Sequence, residues 1–189
     1  MLVKICGVRD PLTARFAAES GADFIGMILT PGYIRSVDIK TAKEIAAAAR
    51  EGGAEPVAVF VSEAPAQVIE ICVRLGVRTV QYYMEEVELP EALRRFRVNN
   101  LSAPLREGID FFLFESGRPG TGTPIDAKQE APKDRPFILA GGLHPGNVSE
   151  QISRYRPIGV DVSSGVEEGG EKSKDLIVQF IHEAKHHDN

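Results

Sequence analysis

Cysteine is scarce in this sequence, and long apolar segments are missing. Two cysteines, Cys6 and Cys72, are too few for a disulfide framework. No apolar run approaches the ~20 residues that a membrane-spanning helix needs. Residues 1–5 have neither the basic start nor the long apolar core of a secretory signal. These absences predict a cytoplasmic protein without a membrane partner.

Basic residues are fewer than acidic residues, and the formal net charge is −5. Proteins that bind nucleic acid usually present a basic face, so we expect no nucleic acid partner. The net charge does not exclude an anionic small-molecule substrate, provided that the binding site itself concentrates positive charge.

Histidine is rare as well, which bears on metal binding. The chain has four histidines: His144 lies in a predicted turn, and the other three lie in the last predicted helix and the tail. No two of them follow strands with the spacing of metal ligands. We therefore expect no metal site.

What the chain does contain is typical of one globular domain spanning residues 1–189. Hydrophobic residues make up 43% and charged residues 26% of the sequence. Short apolar runs, bounded by Gly, Pro, Asp or Asn, predict eight strands. These candidate strands are Val3–Cys6, Phe24–Leu29, Val57–Val61, Thr79–Tyr82, Arg97–Asn99, Phe111–Phe114, Phe137–Ala140 and Gly159–Val162.

Amphipathic segments between the strands predict helices, several with clear start and stop residues. Asp10 followed by Pro11 is a typical helix start, and Ser20 followed by Gly21 a typical end. Buried strands that alternate with helices indicate a parallel sheet covered by helices. The candidate helices are Pro11–Ser20, Ile39–Gly52, Pro65–Leu75, Leu89–Phe96, Pro145–Tyr155 and Ser173–His186.

Eight strand–helix units predict an α/β protein that folds as a single (β/α)8 TIM barrel. At 189 residues the barrel is short, because such barrels typically have about 250 residues. The shortening is expected in the second half: residues 99–110 lack a convincing helix after the fifth strand, and residues 117–129 have loop composition. An open doubly wound sheet has the same alternation and remains an alternative fold.

The active site of such a barrel forms at the carboxyl ends of its strands, and glycine-bearing turns follow the last two. Gly141 and Gly142 follow the seventh strand, while Ser163, Ser164 and Gly165 follow the eighth. Glycine lets backbone N–H groups approach a ligand closely, and a helix N-terminus favours a phosphate. Either turn alone could simply join a strand to a helix. Two such turns on neighbouring strands favour a phosphate site.

Several segments, in this order, resemble those of phosphoribosylanthranilate isomerases. The cysteine motif at the end of the first strand and the Ser-Ser-Gly-Val-Glu segment after the eighth are specific in combination. The matching segments span most of the chain. They are Lys4–Gly7, Gly21–Gly26, Gly120–Gly122 with Asp126, Ala140–Leu143, Asn147–Val148, Gly159–Glu167 and Lys174–Asp175.

The resemblance implies the Amadori rearrangement of N-(5-phosphoribosyl)anthranilate in tryptophan biosynthesis, without a cofactor or metal. Cys6 corresponds to the general base that removes a proton from C2′ of the sugar. Asp126 corresponds to the general acid that protonates the ring oxygen, and Arg35 to the arginine that holds the anthranilate carboxylate. The two glycine turns would bind the phosphate, and Gln81 is retained as a substrate-binding residue.

These roles require shifted pKa values. A free cysteine has a pKa of about 8.5, so little thiolate exists at neutral pH without a nearby cation or helix N-terminus. A free aspartate has a pKa of about 3.9, so Asp126 needs burial or negative neighbours in order to carry a proton. We expect Cys72 and Asp161 to be structural and the acidic run from Glu167 to Asp175 to be solvated surface.

Two segments depart from the family's usual sequence. After the fourth strand the family usually has Gln-Leu-His-Gly, whereas this chain has Gln-Tyr-Tyr-Met at residues 81–84. This leaves open an altered substrate preference or weak activity. Residues 31–34 also differ, which leaves the register of Arg35 open by one or two positions.

Two other functions remain open. The related aminoaldose isomerase of histidine biosynthesis shares the barrel and the chemistry, but the base on its first strand is typically a carboxylate rather than a thiol such as Cys6. A non-catalytic phosphoribosyl-binding barrel would have no need of Cys6, Arg35 and Asp126 together. The sequence does not separate a monomer from a homodimer.

Overall fold

The computed structural model describes residues 1–83, 89–98, 110–115 and 130–186. Eight parallel strands pair in chain order, and the last pairs with the first to close a barrel. The closed barrel confirms the predicted fold and excludes the open sheet. The strands are β1 Leu2–Ile5, β2 Phe24–Ile28, β3 Glu55–Phe60, β4 Thr79–Tyr82, β5 Arg94–Val98, β6 Phe111–Phe114, β7 Phe137–Ala140 and β8 Gly159–Val162.

Capping by acidic side chains explains where the first two helices begin. The carboxylates of Asp10 and Asp38 accept hydrogen bonds from the backbone N–H groups of Thr13 and Thr41, at 2.8 and 2.7 Å. These bonds satisfy donors that the first helical turn leaves open. In the described ranges the helices are α1 Pro11–Glu19, α2 Ile39–Glu51, α3 Pro65–Leu75, α4 Val148–Tyr155 and α5 Lys174–Lys185. None of them is long and apolar enough to cross a membrane.

A short irregular segment separates β8 from α5 and contributes to the carboxyl end of the barrel. It begins with a 3₁₀ turn, Ser164–Val166. A hairpin of two antiparallel strands follows, β9 Glu167–Glu168 and β10 Glu171–Lys172.

The helix predicted over residues 89–96 is wrong. Residues 90–93 form a turn, in which the N–H of Leu93 donates to the carbonyl of Pro90 at 3.0 Å. The strand β5 begins at Arg94, three residues before its predicted start, and the Arg94 N–H donates to the carbonyl of Arg78 at 2.8 Å. Pairing with β4 and β6 decides the conformation here, because a short amphipathic window does not separate helix from strand. The loop predicted after β5 falls at residues 99–109, outside the described residues.

The helix α4 also begins later than predicted, at Val148 rather than at Pro145. The Oδ1 of Asn147 accepts from the N–H of His144 at 2.8 Å, and residues 145–147 form a turn. The other predicted helices and strands in the described ranges agree with the structure to within two residues at each end, apart from β5.

The amino-terminal end of the barrel interior is filled by aromatic rings. The rings of Phe24, Phe96 and Phe111 have centroids 4.9 to 5.6 Å apart. Phe24 and Phe111 are the first residues of β2 and β6, so the rings fill the end at which these strands begin. The Lys4 ammonium lies 5.8 Å from the Phe96 centroid. This packing leaves the carboxyl ends of the strands to form a cavity.

We expect Phe96→Ala to lower the free energy of unfolding by roughly 3–5 kcal/mol, because Phe96 is fully buried and the ring would leave a cavity. Leu12→Ala is the matched control: Leu12 is 77% exposed, and its loss should change stability by no more than about 0.5 kcal/mol. Urea denaturation of both variants measures the difference. Equal losses of unfolding free energy in the two variants would contradict the packing of Phe96 in the barrel interior.

Candidate active site

A cavity of about 370 Å³ opens at the carboxyl ends of the strands, a size typical of small-molecule sites. Eight of the nine predicted site residues line it. The ninth, Asp126, lies outside the described residues. The predicted residues that line the cavity are Cys6, Arg35, Gln81, Gly141, Gly142, Ser163, Ser164 and Gly165.

The deepest charged contact involves Lys4, Cys6 and Asp161. Lys4 lies on β1 and Cys6 directly follows β1. The two residues are two positions apart and therefore point to the same face, which is the barrel interior. The Nζ of Lys4 forms an ion pair with Oδ1 of Asp161 at 2.9 Å, and both side chains are buried. Lys4 also makes a side-chain hydrogen bond to Cys6. The cation that a reactive cysteine requires is thus in place.

These contacts shift the pKa values of Lys4 and Cys6. Burial alone would lower the pKa of Lys4, but Asp161 and Cys6 outweigh it and raise that pKa above its usual value. Lys4 therefore stays protonated. Burial raises the pKa of the Cys6 thiol, and Lys4 opposes the rise. Asp161, which we expected to be structural, both anchors Lys4 and lines the cavity.

Gly26 on β2 leaves the space that Cys6 and Lys4 occupy. A Cβ atom at this position would lie 2.8 Å from Sγ of Cys6 and 3.2 Å from Nζ of Lys4. Any larger residue would therefore push the thiol and the ammonium aside.

Arg35 lies at the mouth of the cavity, where an acidic residue already binds it. Its Nε and Nη2 donate to the two carboxylate oxygens of Glu167 at 2.7 and 2.8 Å. Lys172 donates to the same carboxylate at 2.7 Å and to the carbonyl of Ser163 at 2.9 Å. Burial alone would raise the pKa of Glu167, but the hydrogen bonds from Arg35 and Lys172 outweigh it and lower the pKa to about 2.

The expectation that the acidic run from Glu167 onwards is solvated surface is therefore wrong for its first residue. The side chains of Glu167 and Lys172 are 9% and 5% exposed. The sequence does not reveal this, because Glu167 pairs with Arg35, which lies 132 positions away in the chain.

Both glycine turns border the cavity on neighbouring strands. Gly141 and Gly142 have positive φ values of 95° and 64°, which a residue with a side chain adopts only under strain. The side-chain amide of Asn147 donates to the carbonyl of Gly142 at 3.0 Å and ties the first turn to the start of α4. A Cβ atom on Gly165 would collide with the backbone of Leu143. The two turns thus pack directly against each other.

Tyr83 and Glu115 are polar residues of the cavity that sequence reasoning missed. The Nε2 of Gln81 donates to the hydroxyl of Tyr83 at 3.0 Å, and Tyr83 makes a side-chain hydrogen bond to Glu115. Burial, together with the charge of Asp161, raises the pKa of Glu115 to about 8. Alternation would have found both residues, since each lies two positions after an interior residue, Gln81 or Leu113.

The described residues contain no cluster of three or more His, Cys, Asp or Glu side chains arranged to hold a metal ion. The cavity instead combines a thiol, a lysine–aspartate pair, a guanidinium and backbone turns. This combination suits proton transfer on an anionic substrate.

Comparison with known proteins assigns the chain to a family. The family model of N-(5′-phosphoribosyl)anthranilate isomerase matches residues 3–183. The chain belongs to this isomerase family. Relatives of that name include the protein of Chlamydia felis, 37% identical over 98% of this chain and 97% of its own length. The protein of Desulforudis audaxviator is 40% identical over 95% of this chain and 96% of its own.

Solved structures of the isomerase family have the same fold. The phosphoribosylanthranilate isomerase of Thermotoga maritima superposes with a TM-score of 0.79 at 29% identity and covers 98% of both chains. Another structure of the family, in complex with reduced 1-(o-carboxyphenylamino)-1-deoxyribulose 5-phosphate, superposes with a TM-score of 0.74 at 27% identity, again over 98% of both chains.

Gly7→Ala should weaken binding of N-(5′-phosphoribosyl)anthranilate, because the new Cβ would lie 2.6 Å from Cδ of Arg35. We expect KM to rise by about tenfold, the equivalent of one charge-assisted hydrogen bond. Gly53→Ala is the control, since Gly53 also has a positive φ but no atom within 4 Å of the added methyl. Steady-state kinetics on both variants distinguishes the effect of the contact with Arg35 from the effect of backbone strain, which both substitutions introduce. An equal KM in the two variants would contradict the assigned contact.

Proposed function

We propose that the chain catalyses the Amadori rearrangement of N-(5′-phosphoribosyl)anthranilate to 1-(2-carboxyphenylamino)-1-deoxyribulose 5-phosphate, a step of tryptophan biosynthesis. Membership of the isomerase family supports this, as does the complex of a solved relative with the reduced form of this product. The observation that carries the proposal is the meeting of Cys6, Arg35 and both glycine turns in one cavity.

Cys6 is the general base in this proposal. It removes the C2′ proton once the sugar ring has opened, and only its thiolate form can do so. The Lys4 ammonium favours the thiolate electrostatically, and Asp161 holds Lys4 in place. A metal ion is not needed for this step.

Asp126 is the proposed general acid, on the strength of its match to the family motif. It protonates the ring oxygen so that the furanose opens. Because an ordinary aspartate is ionised at neutral pH, this role requires that the closed site bury Asp126 or surround it with negative charge.

Arg35 and the glycine turns are proposed to bind the two anionic ends of the substrate. The guanidinium of Arg35 has N–H groups beyond the two that Glu167 engages, and these are available to the anthranilate carboxylate. The backbone N–H groups of Gly141–Gly142 and Ser163–Gly165 suit the phosphate. Gln81 contributes a further contact: within the described part of the chain its Oε1 is buried and has no hydrogen-bond partner.

We keep the prediction of a cytoplasmic protein that is a monomer or a homodimer. One solved relative, the isomerase of Thermotoga maritima, is described as dimeric.

Cys6→Ala and Asp126→Asn should each lower kcat by at least about 100-fold, the typical effect of losing an acid or base. The loss of substrate fluorescence in freshly made N-(5′-phosphoribosyl)anthranilate measures turnover. Cys72→Ala is the control, because Cys72 is a buried thiol on α3 outside the cavity, and it should retain the parent rate. Parent-like turnover in both test variants would refute the assigned roles. An inactive parent that still binds the reduced product would favour a non-catalytic barrel.

Two further variants test how Lys4 acts. Lys4→Met combined with Asp161→Asn leaves no unpaired buried charge and removes the cation, so the pKa of Cys6 should rise. The ascending limb of the plot of kcat/KM against pH should therefore move to higher pH, by about one pH unit or more. Asp161→Asn alone keeps the Lys4 ammonium and removes the negative charge of Asp161. The pKa of Cys6 should then fall, and the ascending limb should move to lower pH. Iodoacetamide alkylation of Cys6 against pH, in a Cys72→Ala background, checks both directions. Unchanged limbs would exclude Lys4 as the group that activates the thiol.

A further inference from the structure

A continuous row of hydrogen bonds crosses the mouth of the cavity, from Arg35 to the turn after β8. Arg35 donates to both carboxylate oxygens of Glu167, at 2.7 and 2.8 Å. Lys172 donates to the same carboxylate at 2.7 Å and to the backbone carbonyl of Ser163 at 2.9 Å. These four residues, Arg35, Glu167, Lys172 and Ser163, are termed the mouth row.

The hairpin of β9 and β10 holds the two central members of the mouth row in place. Glu167 on β9 and Lys172 on β10 face each other as a cross-strand pair, and their side chains are 9% and 5% exposed. Gly169 and Gly170 join the strands with φ values of 59° and 85°, which a tight two-residue hairpin turn requires. Burial limits both the screening of the charges by solvent and the freedom of the side chains. The mouth row is therefore a stiff link rather than a loose surface ion pair.

The ends of the mouth row lie at the two proposed anion subsites. Arg35 is the proposed ligand of the anthranilate carboxylate, and Ser163 begins the turn whose backbone N–H groups suit the phosphate. Among the described residues that line the cavity are Arg35 and Ser163 but neither Glu167 nor Lys172. The central pair thus connects the two subsites without itself lining the space for the substrate.

A substrate with two anionic ends benefits from such a connection. Once one end is bound, the other end binds at an effective concentration that depends on how well the separation of the subsites matches the separation of the two anions. A stiff connection maintains this match. It also avoids the ordering cost that mobile subsites would add to binding.

We propose that Glu167 and Lys172 are positioning residues, which hold the carboxylate and phosphate subsites at a fixed separation and so select ligands that carry both groups at that distance. The inference rests on the proposed function of the chain, because the two subsites are taken from it. It also gives a reason for the acid beside the arginine: Glu167 fixes where the guanidinium of Arg35 lies.

The binding of a whole ligand and of its two parts tests the proposal. The whole ligand is the reduced product, and the parts are anthranilate and inorganic phosphate. NMR titrations of the protein give the three dissociation constants. The two fragment constants multiplied together and divided by the constant of the whole ligand give the effective concentration. A change in the charge of the site affects the fragments and the whole ligand alike, so it largely cancels in this quantity.

Glu167→Gln keeps the shape of the side chain but removes the charge that binds Arg35 and Lys172. We expect the effective concentration to fall by about tenfold, which corresponds to one charge-assisted hydrogen bond. Each fragment should bind no more weakly than to the parent, because the mouth of the cavity gains net positive charge. Glu168→Gln is the matched control: Glu168 is an exposed residue of the same strand, and this variant should keep the parent's effective concentration.

Lys172→Met interrupts the mouth row at its other link and leaves Glu167 paired with Arg35, so it tests the same point even if Glu167→Gln does not fold. We again expect a fall of about tenfold in the effective concentration. The double variant should lose no more than either single variant, because each substitution interrupts the same row. Thermal unfolding identifies the variants that are folded and can be compared.

The outcomes separate the inference from the proposed function. If the reduced product and the fragments weaken equally, the effective concentration is unchanged and the inference is overturned, because the residues then act on each subsite separately. Additive losses in the double variant, or the same loss in Glu168→Gln, also overturn it. In all these cases a parent that converts N-(5′-phosphoribosyl)anthranilate leaves the proposed function intact. A parent that neither converts this substrate nor binds the reduced product overturns the proposed function, and the inference with it.

Discussion

The ion pair between Lys4 and Asp161 lies inside the barrel at the seam where β1 pairs with β8. An unpaired charge at this depth would cost several kcal/mol, so each side chain requires the other. The pair joins residues 157 positions apart and holds a cation against Cys6. This ion pair thus links the closure of the barrel to the ionisation of the Cys6 thiol. A substitution of Lys4 or of Asp161 should therefore affect both properties.

The site also depends on two glycines, because a side chain at either position would occupy the space of a cavity residue. Gly26 leaves room for Cys6 and Lys4, and Gly7 leaves room for Arg35. Both glycines belong to segments that carry the family resemblance, Lys4–Gly7 and Gly21–Gly26. Their role in the structure is chiefly steric: the active groups approach one another only because no Cβ atom stands between them.

The barrel could be predicted from the sequence because buried strands and capped helices alternate, and local composition reports both. Eight predicted site residues meet in the cavity because they follow strands whose carboxyl ends converge. The helix predicted over residues 89–96 failed because strand pairing outweighs a short local pattern. The bond between Arg35 and Glu167 was not predictable, since it depends on how β9 folds over the barrel mouth. Glu115 was missed because a glutamate after a strand is ordinarily a surface residue.

The bidentate bond between Arg35 and Glu167 has a consequence for turnover. The Glu167 carboxylate already neutralises the guanidinium, so a substrate carboxylate that takes its proposed place at Arg35 either shares the guanidinium with Glu167 or displaces Glu167. In this proposed role of Arg35, Glu167 cancels part of the attraction for the carboxylate, which would limit how tightly substrate and product bind. In the proposed site, Glu167 would also re-form its ion pair with Arg35 as the product leaves, which favours product release.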